Sequence, residues 1–146
     1  MLFLVVHGPN LNLLGSRELS VYGTSTLDDV NSGIEEEARR LGVEVDLHQT
    51  AREGEIIELL HAGIGKVDGA LLNPAAYSHT SRAIADAIRA VSFPVVEIHL
   101  SNIHAREPWR HVSVTAEAAT GIVAGFGPRS YTLGLQALKG MVDDGS

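Results

Sequence analysis

Apolar runs alternating with helix-period segments constrain this chain more than any other feature. Leu2-Phe3-Leu4-Val5-Val6 contains no polar residue, the pattern of a strand covered on both faces. Leu27, Val30, Ile34, Ala38 and Leu41 then recur at helical steps, with Thr26 as N-cap, Asp28 and Asp29 in the first turn and Gly42 as the stop. Val43, Val45 and Leu47 alternate as a strand with one polar face, and Ile56, Ile57, Leu59, Leu60 and Ile64 mark a second helix. Val67 to Leu72 is an apolar strand ending at Asn73-Pro74; Ile84, Ala87, Ile88 and Val91 make a third helix. Pro94 to His99 and Gly121 to Phe126 complete the strands, and residues 130–142 form a last helix. Strands alternating with helices imply right-handed crossovers and a parallel sheet covered on both faces. The expectation is a single α/β domain over residues 1–146.

An open sheet of this kind binds ligands beyond the carboxyl ends of its strands, where the strand order reverses. The polar residues of the chain concentrate at those ends. Asn10, Asn12, Arg17 and Tyr22 follow the first strand, Asn73, Ser78 and His79 the third, and His99, Ser101, Asn102, Arg106 and Arg110 surround the end of the fourth.

Composition removes several kinds of chemistry. Without cysteine there is no disulfide, thiol nucleophile or thiolate metal site. A net charge of −7, from 11 basic and 18 acidic residues, argues against a sequence-independent grip on nucleic acid. The apolar runs stay far short of the roughly 20 residues of a membrane span, so a soluble cytoplasmic protein is expected. The only lysines, Lys66 and Lys139, fall where helices end or meet solvent, which disfavours Schiff-base catalysis. The histidines are not grouped with carboxylates at metal-ligand spacing, and neither GxGxxG nor a P-loop occurs, so no metal and no cofactor are expected.

The segment GPNLNLLGSRELSVYG, residues 8–23, is long for a connection after a buried strand, and such loops are usually functional or disordered. Gly15 and Gly23 bound a stretch holding Arg17 and Tyr22, so the stretch can close as a lid that brings a phenol and a neighbouring guanidinium over a ligand. An exposed arginine and a core-packed tyrosine would give the same spacing. Glu97 and His99 lie two apart on a strand and share a face. A carboxylate there orients the imidazole and stabilises its protonated form, as general acid catalysis requires, although a structural ion pair would look alike. Thr80 or Ser81 is placed to cap the third helix, which leaves His79 unexplained. Arg106 and Arg110 form a local positive site for a small anion, or else pair with Glu107. A base, an acid, amides and cations without a nucleophile suit proton abstraction beside a carbonyl and loss of water.

Four motifs occur in order: GPNLNLLGSRELSVYG, EGEIIELLH at 53–61, NPAAYSHTS at 73–81 and EIHLSNIHAREPWRH at 97–111. Together they resemble the type II 3-dehydroquinate dehydratases, from residue 4 to about residue 135. The resemblance implies a flavodoxin-like three-layer sandwich with a five-stranded parallel sheet in the order 2-1-3-4-5. It also implies cofactor-free anti elimination of water from 3-dehydroquinate through an enolate, in the shikimate pathway. On that resemblance Tyr22 removes the C2 proton with Arg17 activating it, His99 protonates the leaving hydroxyl, Glu97 orients His99, and Asn10 holds a water at the enolate. Asn73, His79, Leu100, Ser101 and Arg110 bind substrate, and Asp86 reaches a neighbour's site in a dodecamer of four trimers. Leu19 stands where the common pattern has proline after Arg-Glu. The competing expectation is a non-catalytic flavodoxin-like module for a flavin or phosphate, with Tyr77 and Trp109 as the only stacking candidates.

Overall fold

The computed structural model describes residues 1–145. Its elements run β1 (Leu2–His7), α1 (Leu19–Tyr22), α2 (Leu27–Leu41), β2 (Glu44–Gln49), α3 (Glu53–Gly63), β3 (Gly69–Asn73), α4 (Arg82–Ala90), β4 (Val95–His99), β5 (Gly121–Ala124) and α5 (Arg129–Asp144). All strand pairings are parallel, in the order β2-β1-β3-β4-β5, so the expected flavodoxin-like topology is present.

Side-chain alternation along the strands builds two separate cores. Phe3 and Val5 of β1 face Ile34 of α2 and Leu135 of α5, while Leu4 and Val6 face Ile56 of α3 and Ile84 of α4. Each such fully buried side chain stabilises the fold by about 1.5–3 kcal/mol. Helix α2 is held as expected: Thr26 Oγ1 accepts from the Asp29 N–H at 3.1 Å, Asp29 accepts from the Thr26 N–H at 3.0 Å, and Gly42 closes the helix at φ 72°. Ser81, rather than Thr80, caps α4 by accepting from the Ile84 N–H at 3.0 Å.

Most expected boundaries shift by a residue or two, and two of the shifts have a clear cause. Val67 packs its side chain on the core but precedes β3, because its N–H closes the turn onto the Gly63 carbonyl at 3.0 Å. Strand β5 stops at Ala124, since Gly125 and Gly127 turn the backbone to φ 97° and 62° toward α5.

The strand order places the ends of β1 and β3 side by side. Gly8 donates to the Asn73 carbonyl at 2.8 Å, and a Cβ at residue 8 would sit 2.8 Å from the Pro74 backbone. Only glycine permits that approach. Behind it lies a buried polar chain in which Asn73 Nδ2 donates to the Tyr131 hydroxyl at 2.9 Å, Tyr131 meets His7 Nδ1 at 2.8 Å, and His7 Nε2 meets Asn31 Oδ1 at 2.7 Å. Burial lowers the His7 pKa from 6.5 to about 4, against the opposing effect of the Asn31 hydrogen bond. The same burial raises the Tyr131 hydroxyl above its ordinary value.

The unfolded chain therefore binds a proton at residue 7 more readily than the folded one between pH 6.5 and 4. Stability rises with pH through that window and is lost as pH falls, by about 3 kcal/mol at pH 4 from this residue. Urea unfolding at stepped pH should show a loss of this size that is largely absent in His7→Gln.

Candidate active site

A cleft open to solvent lies at the carboxyl edge of β1, β3 and β4. Asn10, Arg17, Tyr22, Asn73, His79, His99, Leu100, Ser101 and Arg110 all line it, and so does Arg106. Glu97 stands behind His99, fully buried. Asp86 lies elsewhere on α4, with its side chain 84% exposed and 3.5 Å from Arg89.

The loop after β1 has an anchored half and a loose half. Leu11 and Leu14 are buried in the core, whereas Leu19 and Val21 face outward. The loose half is bounded by Gly15 at φ 89° and Gly23 at φ 75°, and it carries α1, too short to be legible as a helical pattern. Leu19 takes the first helical position, where proline is also compatible with a helix. The left-handed non-glycine residues of the described chain are Asn10 (φ 70°), Glu18 (φ 42°) and Ala75 (φ 54°). Asn10 and Ala75 line the cleft and Glu18 opens α1, so backbone strain of roughly 1–3 kcal/mol per residue is confined to this region.

Tyr22 projects from α1 with two guanidiniums near its ring. Arg17 lies 5.8 Å from the ring centroid and Arg106 lies 5.2 Å from it. The hydrogen bond to the phenol oxygen comes from Arg106 Nη1, at 2.5 Å. Arg17 instead binds Glu18, whose carboxyl it holds below the ordinary range. Sequence proximity pointed to Arg17 as the cation at the Tyr22 hydroxyl; the folded chain puts Arg106 there, 84 residues away.

At the end of β4, Glu97 Oε2 meets His99 Nε2 at 2.8 Å, as same-face spacing on a strand requires. With Nε2 committed to Glu97, the nitrogen left for a ligand is Nδ1. His79 ends a 3-10 turn over Ala75–His79, and its ring lies 6.4 Å from that of His99. Its Nδ1 donates to the Val112 carbonyl at 2.8 Å, and burial pushes its pKa below the ordinary imidazole value. A neutral His79 thus presents the Nε2 lone pair. Arg110 pairs with Glu107 at 2.8 Å and also lines the cleft, so the ion pair and the cationic site expected as alternatives coexist. The segment that carries Arg106 and Arg110 consists of 3-10 turns at Ile103–Ala105 and Pro108–Arg110. No group of three or more metal-ligating side chains is found among the described residues.

On this flavodoxin-like frame the cleft gathers a phenol bound to a guanidinium and an imidazole bound to a buried carboxylate. Residues 1–139 match the family Dehydroquinase class II. The 3-dehydroquinate dehydratase of Caldicellulosiruptor bescii is 52% identical over 141 residues, 96% of this chain and 97% of that protein. That of Rhizobium meliloti is 52% identical over 139 residues, 95% of this chain and 94% of that one. The type II dehydroquinase structure from Butyrivibrio crossotus superposes with a TM-score of 0.93 at 38% identity, covering 95% of this chain and 97% of that chain. The structure from Propionibacterium acnes gives 0.90 at 41% identity, covering 97% and 96%. The chain belongs to the class II dehydroquinases.

The single tryptophan, Trp109, lies under the Arg110 guanidinium at 4.1 Å and edge-on to His79 at 5.2 Å. A small cyclic carboxylate entering the cleft should therefore change its fluorescence. In Arg110→Ala the titration should show affinity weakened about tenfold or more, the scale of a lost charge-assisted hydrogen bond.

Proposed function

We propose that this chain dehydrates 3-dehydroquinate to 3-dehydroshikimate by anti elimination through an enolate, a hydro-lyase step of the shikimate pathway, with the cleft residues carrying the chemistry. The observation that carries the reading is the meeting in one cleft of a phenol bound to a guanidinium and an imidazole bound to a buried carboxylate. The names and high identity of its relatives favour this activity over a flavin or phosphate module. Tyr77, one of the two stacking candidates for a flavin, is instead half-buried against the core, with its hydroxyl donating to the Ala51 carbonyl at 2.9 Å.

A guanidinium hydrogen-bonded to a phenol oxygen stabilises the phenolate. Tyr22, as phenolate, removes a proton from C2, and the electron pair passes to the C3 carbonyl as an enolate. Arg106 and Arg17 supply the positive charge at the base. Asn10 holds a water at the enolate oxygen. The enolate collapses to the C1–C2 double bond as the C1 hydroxyl departs, protonated by His99 and released as water. Glu97 keeps the imidazole oriented for that transfer. Asn73, His79, Leu100, Ser101 and Arg110 bind the substrate, with Arg110 set against its carboxylate.

Neither Lys66 nor Lys139 lines the cleft, so no imine is formed on the enzyme. Residues 1–146 act as one cytoplasmic catalytic domain, assembled as a dodecamer of four trimers. In that assembly the exposed Asp86 of one copy reaches the cleft of another.

Turnover of 3-dehydroquinate should generate an enone absorbing in the near ultraviolet, and borohydride added with substrate should not inactivate the protein. Tyr22→Phe should abolish turnover, and His99→Ala should lower it at least about a hundredfold, the scale of general acid catalysis. Turnover unchanged in Tyr22→Phe, a loss of tenfold or less in His99→Ala, or rapid borohydride inactivation would contradict the mechanism.

A further inference from the structure

The Glu97 carboxylate has no exposure to water, yet His99 accounts for only one of its contacts. Ser113 Oγ donates to Oε2 at 2.6 Å, and Thr115 Oγ1 donates to Oε1. We propose that Ser113 and Thr115 are positioning residues that hold Glu97 ionised by donating one hydroxyl to each carboxylate oxygen, and so keep the shared proton on His99 Nε2. The inference rests on the general acid role given to His99 above.

Hydrogen-bond direction supports it. Each hydroxyl has one proton to give. Ser113 Oγ already accepts from the Ala116 N–H at 3.0 Å, and its other neighbours, Thr115 Oγ1 at 3.2 Å and the Ser78 carbonyl at 3.5 Å, are farther than Glu97. The 2.6 Å separation falls in the range of a hydroxyl bound to a charged carboxylate. With both hydroxyls and the imidazole donating, three hydrogen bonds converge on the two oxygens of the Glu97 carboxylate.

The clamp is itself held in place. The Val114 N–H donates to the Ser78 carbonyl at 2.7 Å, and Thr115 and Ser78 are fully buried. Residues 113–115 are thereby docked on the turn that ends in His79, so both histidines of the cleft lean on one support.

Thr115→Val keeps the side-chain shape and removes the donor. It should lower kcat roughly ten- to a hundredfold with KM changed less than about threefold, and Thr115→Ser should restore most of the rate. Ser113→Ala should lower kcat in the same direction. Infrared spectra of the ligand-free protein give a readout that needs no substrate. Glu97 should be ionised in the wild type, and Thr115→Val should gain a protonated-acid stretch that disappears when Glu97→Gln is added. Wild-type kcat in Thr115→Val, a full loss shared by Thr115→Ser, or no protonated-acid stretch in the Thr115→Val, Ser113→Ala double variant would overturn the clamp. A wild type that fails to dehydrate 3-dehydroquinate would instead overturn the functional reading, and the infrared comparison would still decide the clamp.

Discussion

The buried carboxylate of Glu97 is the interaction around which the end of β4 is organised. Removing such a charge from water costs several kcal/mol unless hydrogen bonds replace the lost solvation. Here the replacement comes from His99 on the same strand and from two hydroxyls on the segment leading to β5. The parallel sheet makes this possible, because it sets β4 between β3 and β5 with its carboxyl end turned toward the cleft. An imidazole fixed on one nitrogen by a charged partner has a defined tautomer and a defined direction for the other.

Opposite this wall the loop after β1 is buried in its first half and exposed in its second. Buried Leu11 and Leu14 tie its first half to the core, and the Gly8 approach to Asn73 fixes where it leaves the sheet. Beyond Gly15 the chain has exposed apolar side chains and a left-handed Glu18. Glu18 also binds Arg17 and lies 3.4 Å from Arg106. The phenol of Tyr22 thus sits on a short helix with exposed neighbours, and the imidazole of His99 on a buried central strand.

Much of this was legible in the sequence for identifiable reasons. Strand order followed from the motifs, while the element types followed from periodicity, because β1, β3 and β4 are covered on both faces and α2 carries a complete capping box. Glu97 and His99 could be paired because strand geometry settles a two-residue spacing. Arg106 at the Tyr22 hydroxyl could not, since that contact joins residues 84 apart and the nearer Arg17 offered the same chemistry. Ser113 and Thr115 lay in a stretch without periodicity, and their hydroxyls gain meaning only once the carboxylate they face is known to be buried. The chain from Asn73 through Tyr131 to His7 was hidden likewise, as it crosses three elements.

In the proposed reaction one cleft removes a C2 proton from one face of the substrate and protonates the C1 hydroxyl from the other. Its most direct test is the conversion of 3-dehydroquinate deuterated stereospecifically at C2, with the isotope retained in the product read by mass spectrometry. Loss of the C2 hydrogen anti to the C1 hydroxyl, with the other hydrogen kept, is the expected result. Loss of the syn hydrogen, or of both without preference, would contradict it.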